Sequence, residues 1–344
     1  MKSPKRTTIY DIAKKLNLNA SSVSRALSNQ SNVSEATMRL ILQTAKELNY
    51  KPNSMASNLR KGENKTIGVV VPLINQNFFS NVIAGIEEVT YQNGYNLVIC
   101  QSNESYEREV KCIETLINQH VSCIIISVTA DFQDDNHLKN IKNNQIQLIQ
   151  FDRVADDLET FKVVNDNMQS AKDAVLHLID QGYRRIALLE GPQNLNIFRQ
   201  RKLGYLSALE IHDMPIIPEL IIQNAWTKEL SIEATKSLLD LPEPPDAIFA
   251  STSDFAALGV LEVAHERGIS VPQDLGICGY SNEDFTQITN PSLTTIDQFS
   301  NKIGKTIADL FFEEMNAQDA KLDYKTEIIK PQLIIRGSTL RNKL

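Results

Sequence analysis

The chain has 344 residues, 42% of them hydrophobic and 22% charged, with a net charge of -7; that is enough apolar material for two or more globular domains with their own cores, and it excludes a disordered chain. Its longest apolar runs, such as "TIGVVVP" and "CIIIS", are strand-sized and far short of the ~20 residues a membrane-spanning helix needs. The basic segment Met1 to Arg6 leads into polar sequence rather than the apolar stretch of a signal peptide, so a cytoplasmic protein with no membrane partner is expected.

Charge is unevenly distributed along the chain. In residues 1–61 eleven lysines and arginines face only Asp11, Glu35 and Glu47, a net +8, and with the whole chain at -7 the remainder carries -15. A basic head on an acidic body suits a chain whose head alone meets a polyanion, because phosphate contacts supply the sequence-independent part of nucleic-acid affinity.

The first predicted element is a short helix in "TIYDIAKKLN", with Thr8 as N-cap, Asp11 completing a capping box, and Ile9, Ile12, Ala13 and Leu16 at helical spacing. Asn17 is suited to the left-handed conformation that ends it, and Asn19 can cap a second helix from Ala20 to about Ser28. Ser34 caps a third, with Met38, Ile41, Leu42, Ala45 and Leu48 as its apolar stripe. Three helices with a tight turn between the first two describe a helix-turn-helix. In the second helix Val23, Ala26 and Leu27 face the core, which leaves Ala20, Ser21, Ser22, Ser24 and Arg25 on or near the outer face. Small side chains permit close approach to a duplex: serine hydroxyls can bond phosphates or base edges, a methyl such as that of Ala20 can touch thymine, and Arg25 can pair bidentately with guanine.

This head, "TIYDIAKKLNLNASSVSRALSN" followed by "VSEATMRLILQTAKELNYKPNSMASNLR", resembles the DNA-binding head of the LacI/GalR family of bacterial transcriptional regulators nearly end to end. The resemblance implies that Ala20, Ser21 and Arg25 read bases and that Ser22 and Ser24 contact phosphates. It also implies that "KPNSMASNLR" is a hinge helix whose Met55 and Leu59 touch DNA, Leu59 as the wedge in the minor groove. An apolar wedge unstacks a base step and bends the duplex.

After the polar linker "KGENK" the chain alternates strand-like runs with helical segments: "TIGVVVP", "YNLVICQ", "SCIIISV", "IQLIQFD", "FKVVND", "RIALLEG", "DAIFAST" and "LGICGYS". Apolar runs between amphipathic helices indicate parallel sheets covered on both faces, and this many units over about 280 residues indicates two lobes. The expected fold is therefore α/β, an all-α head with hinge helix in residues 1–60 and a two-lobed, doubly wound body in residues 61–344. The resemblance implies a periplasmic-binding-protein-like body, with an N-lobe of about 66–165 plus 297–324 and a C-lobe of about 166–296 plus 325–344.

Ligands of such sheets sit at the strand ends. There "NQNFFS" offers Asn75 as a polar group and Phe78 and Phe79 as flat apolar surface, and "FDR" offers Asp152 and Arg153 as paired acceptor and donor. That combination suits a sugar, whose C–H faces stack on aromatics while its hydroxyls need polar partners. By resemblance Arg201 is the effector-binding arginine, Trp226 an aromatic wall, Asp254 a neighbour of the C-lobe polar position, and Gln298 part of the stretch returning to the N-lobe. Two departures stand out: Ser253-Asp254 where many relatives have Asn-Asp, and Gly279-Tyr280-Ser281-Asn282 where they have Gly-Tyr-Asp-Asp, so one charged acceptor is lost from the matched position.

No G-x-G-x-x-G, P-loop, G-x-S-x-G or H-E-x-x-H occurs, the five histidines are scattered, and the four cysteines lack a C-x-x-C spacing, so neither an enzyme, a metal site nor a cofactor is expected. The expected function is a homodimeric, sequence-specific regulator, a repressor, that binds palindromic double-stranded operator DNA under the control of a small-molecule effector, a sugar or sugar derivative. Paired heads are needed because one recognition helix reads only a few base pairs. The alternatives are a solute-binding protein without DNA function, which leaves the basic head unexplained, and a cytosolic sugar-active enzyme, which lacks catalytic groups.

Overall fold

The structure, a computed structural model, describes residues 7–27, 33–50, 64–317 and 323–341. The hinge positions Met55 and Leu59 lie outside the described residues. The chain divides into two compact units, Met1–Asn64 and Lys65–Leu344.

In the first unit helices α1 (Ile9–Leu16), α2 (Ala20–Leu27) and α3 (Glu35–Glu47) enclose a small core of Ile12, Ala13, Val23, Ala26, Ile41 and Ala45. The Asp11 carboxylate accepts from the Thr8 amide at 2.8 Å and its hydroxyl at 2.7 Å, fixing the start of α1. Asn17 ends it in the left-handed conformation, φ 51°, which asparagine tolerates better than most residues. The Thr7 hydroxyl donates to Leu48 O at 2.9 Å and ties the chain start to the end of α3. One expected stripe residue is misplaced: Leu42 is 49% exposed, because the buried line on α3 runs through Ile41, Thr44 and Ala45 and position 42 lies a further 100° round the helix.

The second unit has two lobes. Parallel strands β1 (Thr66–Val71), β2 (Asn96–Gln101), β3 (Cys123–Ile126), β4 (Gln147–Phe151) and β5 (Phe161–Asn165) alternate with helices α4 (Asn77–Gln92), α5 (Tyr106–Asn118) and α6 (Asn136–Asn143). After β5 the chain leaves for the other lobe: α7 (Asn167–Asp180), β6 (Ile186–Leu189), α8 (Asn196–Ile211), β7 (Ile221–Ile222), α9 (Lys228–Leu239), β8 (Ala247–Ala250), α10 (Asp254–Glu266) and β9 (Gly276–Cys278). These strands form a parallel sheet in the order β7-β6-β8-β9. The chain then passes through β10 (Thr295–Asp297), α11 (Ser300–Asn316), β11 (Thr326–Ile329) and β12 (Gln332–Ile334).

The late segment rejoins the first lobe. Helix α11 packs on α4, with Ile303, Ile307, Leu310 and Phe311 in the core with Val82 and Ile86. The fit depends on Gly85 and Gly304: a Cβ on the first would stand 2.2 Å from Asn301 O and on the second 2.1 Å from Val82 O. Strand β11 pairs with β5 and completes a six-stranded sheet, β11-β5-β4-β3-β1-β2. The first lobe thus reaches Ile329, past residue 324, where the resemblance implied that its late piece ends, and β12 turns back to pair antiparallel with β10. In both parallel sheets the strand order reverses direction, at β1/β3 and at β6/β8, which opens a crevice at the strands' carboxyl ends.

Candidate functional site

Two surfaces carry the candidate residues. On α2 the buried Val23 and Ala26 set the rotation of the helix, so that Ser21 and Arg25 are exposed and Ala20, Ser22 and Ser24 half-buried beside them. Arg25 is tethered to its own helix, its Nε donating to Ser21 O at 3.3 Å. The face is small-sided apart from one arginine, the pattern of a helix that can enter a major groove.

In the body a cavity of about 380 Å³ lies between the lobes. Eight of the nine effector positions expected from sequence line it: Asn75, Phe78, Phe79, Asp152, Arg153, Arg201, Trp226 and Gln298. Asn75 follows β1, Asp152 and Arg153 follow β4, and Trp226 follows β7, so the walls are the strand ends on either side of the crevice.

Arg201, on α8, is 2% exposed. Its Nε donates to Asn167 Oδ1 at 2.9 Å and its Nη1 to Ser251 O at 2.7 Å, and its guanidinium lies 3.5 Å from the centre of the Tyr280 ring. These partners fix the plane of the side chain. Burial presses its pKa down, while Tyr280 and Asp152 oppose the shift. Tyr280 is itself held, its hydroxyl 2.8 Å from Ser170 Oγ and donating to Asn167 Oδ1 at 3.1 Å. Asn167 therefore orients both the cation and the ring beneath it.

Across the cavity Asp152 takes a left-handed conformation, φ 56°, as the chain turns out of β4. Burial pushes its pKa up, and Arg153 and Arg201 counter part of that rise. Arg153 Nη1 donates to both oxygens of Glu104, at 2.9 and 3.0 Å, and lies 5.7 Å from the centre of the Phe79 ring. Glu104 also accepts from the amide of Ala130 at 2.7 Å, which ties the arginine to the loop after β3. Gln298 donates from Nε2 to Asn165 Oδ1, its backbone carbonyl accepts from Asn165 Nδ2, each at 3.1 Å, and its Oε1 accepts from Ser281 Oγ at 3.3 Å. The segments crossing between the lobes are thus bonded to one another at the cavity floor.

Asp254 is the exception among the expected residues. It does not line the cavity: Ser253 caps α10 by accepting from the amide of Ala256 at 3.2 Å, and Asp254 turns inward. There it accepts from Thr295 Oγ1 at 2.6 Å and the Glu283 amide at 2.8 Å, a brace for the chain after β9. Burial raises its pKa to about 6. Sequence reasoning also missed Asn167, Asn165, Phe198 and Glu283; the first two lie in "VVNDN" at and just after the end of β5, a signal that could have found them.

Among the described residues no cluster of three or more histidines, cysteines or carboxylates could hold a metal ion, and no helix is long and apolar enough to cross a membrane. Comparison with known proteins matches residues 8–53 to the model of bacterial regulatory proteins of the lacI family and residues 175–339 to a periplasmic binding protein-like domain. The chain is 34% identical over 332 residues to the HTH-type transcriptional repressor CytR of Escherichia coli K12, covering 96% of each protein. Among solved structures, the lac repressor dimer bound to operator and the anti-inducer ONPF superposes with a TM-score of 0.83 at 25% identity, over 98% of this chain and 100% of that one. A LacI family regulator from Enterococcus faecium with bound ribose does so with a TM-score of 0.70 at 28% identity, over 81% of this chain and 100% of that one. Solute-binding proteins without a DNA-reading head and enzymes are thereby set aside, since these relatives are transcriptional regulators. With a helix-turn-helix in the first unit, an interlobe cavity in the second, and full-length relatives that combine the two, this chain belongs to the LacI family of bacterial transcriptional regulators.

Proposed function

We propose that the protein is a cytoplasmic repressor that binds a palindromic operator as a homodimer, and that a small carbohydrate bound between the lobes changes its affinity for that operator. In this reading residues 1–60 form the head and hinge and residues 61–344 the effector body. Ala20, Ser21 and Arg25 read base edges, Ser22 and Ser24 hold phosphates, and Met55 and Leu59 enter the minor groove. Asn75, Asp152, Arg153, Arg201 and Gln298 supply the polar contacts to the effector, with Phe78, Phe79 and Trp226 as its apolar walls.

The observation that carries the reading is the interlobe cavity of about 380 Å³, where five aromatic side chains meet a buried arginine whose plane is fixed by Asn167 and Ser251. A pocket largely apolar but with a few aimed polar groups is the form a sugar site takes. The ribose held by the Enterococcus faecium regulator supports the same class of ligand. The dimer follows from the reach of one recognition helix, which reads too few base pairs to single out a site. A thermal-shift screen of the full chain against pentoses, hexoses and disaccharides tests the effector class. A ligand at a hundred times its Kd stabilises the body by ~2.7 kcal/mol, and a panel that produces no shift contradicts the carbohydrate assignment.

A further inference from the structure

One carboxylate at the cavity wall has no role in the contacts above. Glu283 lines the cavity and is 5% exposed. It belongs to the C-lobe, yet its Oε2 accepts a hydrogen bond from Nδ2 of Asn77, the first residue of α4 in the N-lobe. On another side of the cavity the lobes already meet through Asn196, whose Oδ1 accepts from the Val154 amide at 3.1 Å and whose Nδ2 donates to Asp152 O at 3.3 Å. Asn77–Glu283 is thus a separate bridge between the lobes, made by a side chain that faces the ligand space.

Resting on the carbohydrate reading, we propose that Glu283 is the residue that selects the effector's hydrogen-bond donors: a ligand hydroxyl pair takes the place of Asn77 on its carboxylate, and the exchange ties occupancy of the cavity to this bridge between the lobes. Ser281, two residues earlier, spends its one proton on Gln298 and can accept only as a neutral hydroxyl, a weaker acceptor than a carboxylate. A carboxylate can accept from two hydroxyls at once, and such charge-assisted bonds are about twice as strong as neutral ones.

The surroundings of Glu283 make this exchange sensitive to pH. Burial, with the negative charges of Asp254 on α10 and Asp284 next in the chain, pushes its pKa up to about 7, against the lowering effect of the Asn77 bond. Arg336 lies behind Asp254 and is bonded to Asn282, Thr286 and Leu293 O. Lys228 and Glu229 at the start of α9, and Arg201, line the same cavity. A ligand that donates to Glu283 binds its ionised form, so affinity rises with pH through this range. For a pKa near 7 the ionised fraction grows from about a tenth at pH 6 to about nine tenths at pH 8, and apparent affinity grows by roughly the same tenfold.

The test is calorimetric titration of the full chain with D-ribose, D-glucose, D-galactose and cellobiose at pH 6 and pH 8, for wild type and Glu283→Gln. A sugar that binds is expected to bind wild type about tenfold more tightly at pH 8, while Glu283→Gln binds it more weakly than wild type at pH 8 and with no pH effect. Equal affinity for both proteins at both pH values overturns the role of Glu283 and leaves the carbohydrate reading standing. If none of the four binds, the carbohydrate reading fails and the proposal that rests on it falls with it; a second check, without ligand, is thermal stability between pH 5 and pH 8. A carboxyl whose folded pKa lies above its unfolded value loses stability as pH rises, so wild type must fall relative to Glu283→Gln over that range; parallel profiles overturn the proposal.

Discussion

Arg25 and Arg201 illustrate how one residue type performs two tasks in this chain. Arg25 is exposed, its Nε donating to Ser21 O of its own helix. If its guanidinium pairs with guanine, Arg25→Ala costs about 1–3 kcal/mol on the specific site and relaxes preference at one position per half-site. Binding assays on operators altered at single base pairs check this, and an equal loss on every sequence would make Arg25 a phosphate contact. Arg201 is buried among neutral partners and stacked on Tyr280. Replacing it with lysine keeps the charge but not the planar fork or the stacking, so Arg201→Lys should lose effector affinity nearly as Arg201→Ala does. Full rescue by lysine would reduce the site to a simple charge. Asp254 supplies a stability signature: its folded pKa of about 6 lies above the ordinary value of about 3.9. The stability it contributes is present at low pH and is lost as pH rises from about 4 through 6. Asp254→Asn should flatten that part of the unfolding profile, and an unchanged slope would show that the carboxyl titrates normally.

At the level of elements, the contact between α4 and α11 is the sharpest constraint on the body. Gly85 and Gly304 let the two helices touch backbone to backbone, so Gly85→Ala should cost about 1–3 kcal/mol through overpacking, read as a lowered unfolding midpoint. An unchanged midpoint would mean that the helices can part without loss. Much of this level was legible in sequence. Thr8, Asn17 and Ser34 announce helix ends because capping is local chemistry, and the eight apolar runs mark β1 to β6, β8 and β9, since burial on both faces removes polar residues from most of them. What escaped was non-local. "TEII" is too short and mixed to declare a strand, and its partner β5 lies some 160 residues earlier, so nothing local extends the first lobe past the residue 324 that the resemblance implied. Leu42 was drawn into a stripe by its hydrophobicity alone, although its angle on α3 points it to solvent. At the cavity, strand ends gave away Asn75, Asp152 and Arg153, whereas Asp254 and Glu283 could not be told apart. Which of two nearby acids turns inward depends on the Ser253 cap and on Thr295, forty-one residues away from Asp254.

For the whole molecule, the contrast between a head of +8 and a body of -15 makes two predictions. Operator affinity should fall steeply with salt, since each phosphate neutralised releases counterions, and a flat response would remove the electrostatic basis of the head. Effector and operator must also be coupled reciprocally, typically by ~1–3 kcal/mol. The most direct test of that claim is fluorescence anisotropy of the full chain on a palindromic duplex selected from random DNA by the protein itself, with a scrambled duplex as control. Titrations are run with and without the sugar that binds best in the screen, for wild type and Arg201→Ala. A LacI-family regulator governed from this cleft prefers the selected duplex by about 10³-fold or more. Saturating sugar changes wild-type operator affinity by about 5- to 150-fold, while Arg201→Ala binds operator like unliganded wild type and ignores the sugar at the same concentration. Equal binding to both duplexes, or an operator affinity that saturating sugar leaves unchanged in wild type, would contradict the account.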